Sequence, residues 1–564
     1  MDQHPEHLLT ITPKQDGDRH TVRRTGGPLF GAPLAIIALV ALGVVLPFAW
    51  LGNASGHDFE FHMYSWLEVL GQWKQGIAYP RWAALSHWGY GEARFLFYPP
   101  LSWHLGGLIA AVVPWTMASG AYIWVALTLA GISMFALARQ YLGRSDAIFA
   151  AAVYAANPYM LVIVYWRSAF AELLAASLLP LLLLFALRLA RDQRGAFLPL
   201  SFVMAGVWLT NAPSAVMANY SLGIMLVALT LLTRKWSTLV YGGLAALLGL
   251  GLAAFYVLPA AYETRWVNIA EVLAPGVRPV DNFLLTMTDN ADHNRFNLLV
   301  SLIAAAEIVV VAGTARMARR SIHQKPALWS LLAVWAGTAA VLMLSPTLIF
   351  WNVLPKLRFV QLPWRWLLCL GVPFALFMVM GIRRWPARIF LYVVMLVVLT
   401  VGWQRVQPPW WDEAADMKEM TDAMEDKVGY EGTEEYVPVG IDSSDVKPDA
   451  HHVIVEGHAS VKIARWAPES KDFTVTASEP SHLVLKLFHY PAWKVDVNGK
   501  SIVSRTVPKT GQMLIAVPKG ESRVEISFTR TWDRSLGIAI SLFAALSAAG
   551  IGVWQRRARD LHTA

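Results

Sequence analysis

Leu29-Phe-Gly-Ala-Pro-Leu-Ala-Ile-Ile-Ala-Leu-Val-Ala-Leu-Gly-Val-Val-Leu-Pro-Phe-Ala-Trp-Leu51 is one unbroken apolar run, and its reading decides the fold. A membrane-spanning helix needs about 20 mostly apolar residues, and this run is too long for the apolar core of a signal peptide. No clear small-x-small cleavage signal follows it. It is therefore expected to remain as an anchored first helix. Its polar leader, residues 1–28 with Lys14, Arg19, Arg23 and Arg24, is then cytoplasmic.

Further apolar runs lie at 120–138, 146–164, 171–190, 196–210, 214–232, 236–258, 298–315, 328–346, 364–381, 387–404 and 536–554. Together with the first they predict about twelve spans. Basic clusters test the count: Arg139/Arg144, Arg188/Arg191/Arg194, Arg234/Lys235, Arg316/Arg319/Arg320/Lys325, Arg383/Arg384/Arg388 and Arg556/Arg557/Arg559. A twelve-span arrangement puts every cluster on the side of the N-terminus, as the positive-inside rule requires. The stretch Leu101–Pro114 is too short to span. Counting it would move Arg139 and Arg144 outside, so it reads as a re-entrant or interfacial helix.

Composition agrees. Of 564 residues, 56% are hydrophobic and 15% charged, against roughly 25% charged in soluble domains. This excludes a soluble enzyme, a disordered scaffold and a disulfide-stapled secreted domain. The lone Cys369 excludes an intrachain disulfide and a Cys-built metal site. The net charge of +8 reads as an orientation signal rather than a nucleic-acid footprint. No nucleotide-binding glycine loop or serine nucleophile elbow is present.

The expected organisation is a cytoplasmic tail (1–28), a transmembrane domain (29–404) with large outer loops at 52–119 and 259–297, an outer domain (405–535), a final span (536–555) and a cytoplasmic tail (556–564). Segments such as Phe473-Thr-Val-Thr-Ala477 and Val524-Glu-Ile-Ser-Phe528 alternate, and Asn498-Gly499 signals a hairpin. The outer domain is thus predicted to be a small β-sandwich, preceded by an acidic helix or linker at Asp412–Lys427.

Chemistry-bearing residues crowd the predicted outer face. Gly56-His-Asp-Phe-Glu-Phe-His62 places two carboxylates and two histidines beside the membrane. In an extended segment Asp58 and Glu60 share a face; in a helix Asp58 and His62 do. A solvated charged loop is the blander alternative. Tyr79-Pro-Arg81-Trp82 and Phe95-Leu-Phe-Tyr98-Pro-Pro100 follow, among several tryptophans that suit either sugar stacking or an interfacial belt. Arg167 and Glu172 sit at the mouth of two spans and either pair or hold an anion. Arg265 lies in the second outer loop, which could act as a lid. Lys356, Arg358, Gln361 and Arg365 put cations outside, against the usual sign preference. An anionic ligand is the simplest cause, and snorkelling to lipid headgroups the alternative.

The chain resembles the GT-C glycosyltransferase superfamily. Within it the chain looks most like the bacterial membrane proteins labelled 6-pyruvoyl-tetrahydropterin synthase-related, with similarity to YfhO-type proteins. The resemblance is carried by Asp58-Phe-Glu-Phe-His62, Gly89-Tyr-Gly91, Phe97-Tyr-Pro-Pro100, Arg167 to Glu172, Gln361-Leu-Pro-Trp-Arg365, Glu434-Glu-Tyr-Val-Pro438 and Tyr490-Pro-Ala-Trp493. It implies an α-helical polytopic enzyme of a bacterial inner membrane with a periplasmic β-domain. Such an enzyme transfers sugar from a polyprenyl-phosphate-linked donor to an envelope glycan, lipid or protein. Asp58 matches the catalytic base of the first outer loop, with Glu60 and His62 in less defined catalytic roles. Arg358 and Arg365 would hold the lipid phosphate. Arg81, Tyr98, Arg167, Glu172, Arg265 and Gln361 complete the expected substrate-binding set. No cofactor is demanded, although a divalent cation (Mg or Mn) is left open; a clear Asp-x-Asp is missing. The rival readings are a lipid-linked glycan flippase and a non-catalytic assembly protein.

Overall fold

The computed structural model describes residues 31–319 and 326–563. The 1–28 tail, Arg320 and Lys325 lie outside the described residues. In chain order the helices are α1 (Gly31–Leu51), α2 (Phe59–Lys74), α3 (Pro100–Val112), α4 (Trp115–Ala138), α5 (Arg144–Arg167), α6 (Phe170–Ala190), α7 (Phe197–Thr210), α8 (Ala212–Thr233), α9 (Trp236–Leu252), α10 (Ala254–Glu263), α11 (Ala291–Arg319), α12 (Pro326–Leu342), α13 (Pro363–Gly381), α14 (Trp385–Val406), α15 (Ala414–Glu425) and α16 (Trp532–Thr563).

Among the described residues nine helices are long and apolar enough to cross a membrane, or up to eleven if two bent pairs each count once. This stands close to the expected count of about twelve, with two features that the apolar runs do not reveal. The runs at 236–258 and 328–346 are broken, with bends of 75° after α9 and 92° after α12. The run at 196–210 forms α7, whose 14 residues extend only about 21 Å at ~1.5 Å per residue, short of a hydrocarbon core of about 30 Å. α3, at 13 residues, is likewise too short to span.

Burial sorts the bundle. Nearly all of α13 is covered and most of α5 and α6, whereas α1, α14 and α16 keep most of their residues exposed, as lipid-facing helices do. Small residues set the closest approaches: a Cβ on Gly249 of α9 would come within 2.6 Å of Ser201 O and Met204 Cβ on α7.

At one end of the bundle the loops meet a nine-stranded β-region. One sheet runs β3-β6-β10-β9 and the other β4-β5-β11-β7-β8. The strands are β3 (Val453–Glu456), β4 (Ala459–Ala467), β5 (Ser470–Ala477), β6 (Ser481–Phe488), β7 (Trp493–Val497), β8 (Lys500–Ile502), β9 (Arg505–Thr506), β10 (Gln512–Val517) and β11 (Gly520–Phe528). Alternate residues Phe473, Val475, Val524 and Ile526 from one sheet share a core with Leu483, Leu485, Met513 and Ile515 from the other. Asn498 and Gly499 both take left-handed φ, 51° and 76°, as the tight β7–β8 turn demands.

The β-region is anchored on the helices. Glu263 of α10 receives two bonds from Arg534 of α16, at 2.7 and 2.8 Å, and one from Tyr490. β1 (Asn53–Ala54) pairs with β2 (Trp411–Asp412), which ties the segment after α1 to the segment before α15.

Candidate functional site

The local fold around Asp58 follows from one proline. Pro158 interrupts α5, and Asn157 caps the restarted helix by accepting from Met160 N at 2.9 Å. The restarted helix ends in a π-helical turn, Ile163–Arg167, followed by Ser168 at φ 47°. π-turns and left-handed residues tend to mark functional positions. The loop 54–58 is stitched onto this turn. Ser168 Oγ donates to Ala54 O at 2.9 Å and accepts from Gly56 N at 2.9 Å. His57 N donates to Trp166 O at 3.1 Å and Asp58 N to Arg167 O at 2.8 Å. The chain passes so close that a Cβ on Gly56 would lie 2.3 Å from the Trp166 carbonyl.

Asp58 thereby reaches a cavity of about 470 Å³ lined by residues from seven regions of the chain, among them Tyr98, Arg167, Glu172, Gln361, Arg365 and Glu435. Its floor is charged and buried. Arg167 and Arg365 converge on Glu172; these three are 2%, 8% and 1% exposed. Arg167 Nη1 bonds Glu172 Oε2, Arg365 Nε lies 3.2 Å from the same oxygen, and the Tyr159 hydroxyl donates to Oε1 at 2.7 Å. Arg167 Nη2 also lies 3.7 Å from Asp58 Oδ2, and Trp364 lies under its guanidinium at 5.1 Å. Gln361 sits at φ 67° and locks this corner: its Oε1 accepts from Arg365 at 3.0 Å while its Nε2 donates to Val272 O at 2.7 Å.

Two arginines and two carboxylates balance formally. Only Asp58, with 39% of its side chain accessible, is open to a ligand.

The cavity gathers six of the eleven expected site residues: Asp58, Tyr98, Arg167, Glu172, Gln361 and Arg365. The other five lie off it. The segment after Asp58 is helical, so Glu60 turns away and is exposed. His62 is buried among the rings of Phe61, Tyr98 and Phe170. Arg81 pairs with Glu469 of the β-region. Arg265 stacks on Tyr262 at 3.6 Å and exposed Arg358 lies over Phe359 at 5.3 Å. Among the described residues no three or more His, Cys, Asp or Glu side chains are grouped to hold a metal ion.

Glu435 was not singled out by sequence reasoning for a role. It enters the cavity because its loop is clamped from behind. Buried Glu92 accepts from Arg94 Nε at 2.5 Å, His87 Nε2 at 2.9 Å and Thr433 N at 2.9 Å. Burial opposes charge on Glu92, but Arg94 and these bonds outweigh it and hold the carboxyl down to about 2. Glu435 is pushed up to about 7, first by burial and then by the charges of Glu92 and Asp58, with Arg94 opposing.

The sequence profile described as 6-pyruvoyl-tetrahydropterin synthase related domain, membrane protein, matches residues 95–407, more than half of the chain. The chain belongs to this family. Family membership makes it a membrane protein, and its apolar helices make it multi-pass. The matched region holds α3 to α14 and with them Arg167, Glu172, Gln361 and Arg365, whereas Asp58 and the β-region lie outside it. No curated protein matches the chain in sequence.

Solved structures with partial likeness include ArnT from Cupriavidus metallidurans bound to undecaprenyl phosphate (14% identity, TM-score 0.41) and the same protein in the apo state (17%, 0.40). Each match covers 65% of this chain and 63% of ArnT. The Archaeoglobus fulgidus oligosaccharyltransferase tethered to an acceptor peptide matches at 12% identity and TM-score 0.36, over 71% of this chain and 55% of that one. The chain thus spans less than two thirds of the length of each.

Proposed function

We propose that this protein is a membrane glycosyltransferase that takes a sugar from a polyprenyl-phosphate-linked donor and passes it to a hydroxyl of a cell-envelope acceptor, with Asp58 as the base. The observation that carries the reading is the placement of Asp58 3.7 Å from Arg167, at the rim of a cavity floored by two buried arginines that share Glu172. A carboxylate open to a ligand and a fixed cationic floor are the two groups an inverting displacement needs. The acceptor hydroxyl attacks the anomeric carbon. Its proton passes to Asp58, the bond from that carbon to the phosphate oxygen breaks, and the polyprenyl phosphate departs toward Arg365 and Arg167. The leaving lipid would be of the class bound in the ArnT complex.

The segment 264–290 contributes Ile269 and Val272 to the wall, and Gln361 tethers it to Arg365. In this reading it helps to exclude water from the reacting carbon. A non-catalytic assembly role gives no reason for a ligand-accessible carboxylate beside buried arginines. The orientation that follows has the β-region and the cavity on the periplasmic side and the N-terminus in the cytoplasm.

The test is transfer from radiolabelled polyprenyl-phosphate sugars by purified protein in nanodiscs, against Arg365→Ala. Wild type should turn over at least one donor, and the variant should raise the donor KM about tenfold or more, the loss of a charge-assisted phosphate contact. Absence of turnover with every donor, or an unchanged KM in Arg365→Ala, would overturn the proposal.

A further inference from the structure

A second cavity, of about 420 Å³, opens between α2, the arm at 421–427 and the β-region, and no residue lines both it and the Asp58 cavity. Its volume falls in the range of small-molecule sites, roughly 300–1,000 Å³. We propose that it binds an anionic saccharide.

Two buried lysines carry the charge argument. Lys471 is 3% exposed and Lys486 8%. Lys471 Nζ donates to Ala467 O at 2.5 Å and Pro468 O at 3.0 Å and lies 4.8 Å over the Trp493 ring, and Lys486 Nζ donates to Pro448 O at 2.7 Å and lies 5.7 Å over the Tyr90 ring. Neither makes an ion pair among the described residues, whereas the buried arginines Arg94, Arg167 and Arg534 each have a carboxylate partner. A buried ammonium without a counter-charge is costly. Burial pushes the Lys471 ammonium down to about 7, and an anion in the cavity would restore it.

The acids nearby do not cancel this charge. Glu469, which acts on Lys471, is paired with Arg81, while Asp449, which acts on Lys486, and Glu425 on the rim are exposed. Buried Glu68 accepts from Leu85 N at 2.6 Å and Gln72 Nε2 at 3.2 Å, and burial raises its pKa. Both of its oxygens are thus taken by protein donors.

The remaining wall suits a sugar ring. Gln72 is 1% exposed and its Oε1 has no protein partner, which leaves an acceptor for a hydroxyl. Trp88 lines the cavity with no aromatic ring packed on it among the described residues, and Trp466 stacks on His452 with centroids 4.6 Å apart. His87 and Trp88 occupy left-handed backbone, φ 50° and 53°, which Trp88 N maintains by donating to Tyr430 O at 3.0 Å. Apolar ring faces beside hydroxyl acceptors, donors and unpaired cations are the complement of a uronate or a sugar phosphate. The assignment does not depend on the transfer reaction.

Saturation-transfer NMR on the full-length protein in nanodiscs tests it, with glucuronate and glucose as probes and inorganic phosphate as competitor. Glucuronate should give signals about tenfold stronger than glucose. Lys471→Met or Gln72→Leu should abolish them, and Asp58→Asn, in the other cavity, should leave them unchanged. If Lys471→Met does not fold, Lys486→Met takes its place. Equal signals from glucose, glucuronate signals that survive the Gln72→Leu and lysine variants, or full displacement by equimolar phosphate would each overturn the proposal.

Discussion

The backbone N–H of Asp58 donates to the carbonyl of Arg167 at 2.8 Å, while their side chains approach to 3.7 Å. The proposed base and a cation of the proposed phosphate site are thus positioned by one piece of local backbone, the turn that ends α5.

That coupling makes Gly56 a structural requirement. A methyl group at 56 would collide with the Trp166 carbonyl at 2.3 Å, and neither backbone can yield without moving Asp58. Gly56→Ala is expected to cost about 1–3 kcal/mol and to lower kcat, read as a lowered thermal midpoint and turnover in detergent. Gly143→Ala, in open space, is the matched control. Equal behaviour of the two variants would contradict the tight loop.

Glu172 neutralises two arginines at once. Glu172→Gln leaves Arg167 and Arg365 facing each other without their shared partner and should destabilise by about 3–5 kcal/mol. Adding Arg365→Met should recover part of the loss, because it removes the uncompensated charge. A double variant less stable than Glu172→Gln alone contradicts the shared-carboxylate account.

Glu435 sets an expected pH response. Raised to about 7 by burial and by the charges of Glu92 and Asp58, its carboxyl is neutral below that pH and ionised above it. Ionisation places a negative charge in the cavity wall, against the donor phosphate. Donor KM should rise by up to about tenfold from pH ~6 to ~8, and Glu435→Gln should flatten the rise. A wild-type KM independent of pH across this window sinks the assignment.

Glu92 gives the opposite sign. Its folded carboxyl is held at about 2, below the ordinary 4.5. The stability this confers is complete above about 4.5 and fades as pH falls toward 2. At about 1.4 kcal/mol per unit it amounts to roughly 3 kcal/mol. The thermal midpoint of Glu92→Gln should depend less on pH than wild type in that interval; parallel curves would rule the cluster out as an acid-sensitive clamp.

The apolar runs were legible because lipid imposes them: a helix facing hydrocarbon has no polar alternative. What the runs conceal is length and bending, as α7 and the breaks after α9 and α12 show. In the β-region, β5 and β11 announce themselves by alternation, but β4 (Ala459–Ala467) does not, since most of its residues are exposed and Lys462 and Arg465 interrupt the pattern. Within the site, Arg365 stood out as a cation against the expected charge trend. Arg358 carries the same signal yet ends on an aromatic face in an exposed loop, because a sequence cannot distinguish a cation with a carboxylate partner from one resting on a ring. Glu435 lay within the Glu434–Pro438 stretch without a role assigned to it; it reaches the cavity through Thr433 and Glu92, more than 300 residues apart in the chain.

The most direct measurement is turnover of Asp58→Asn against wild type, with a polyprenyl-phosphate sugar that wild type uses. Asn keeps the shape and the backbone bond to Arg167 but cannot take the acceptor proton. The account predicts a kcat lower by about 10²–10⁴-fold, with donor KM little changed and an unaltered thermal midpoint. Wild-type turnover in Asp58→Asn would contradict it.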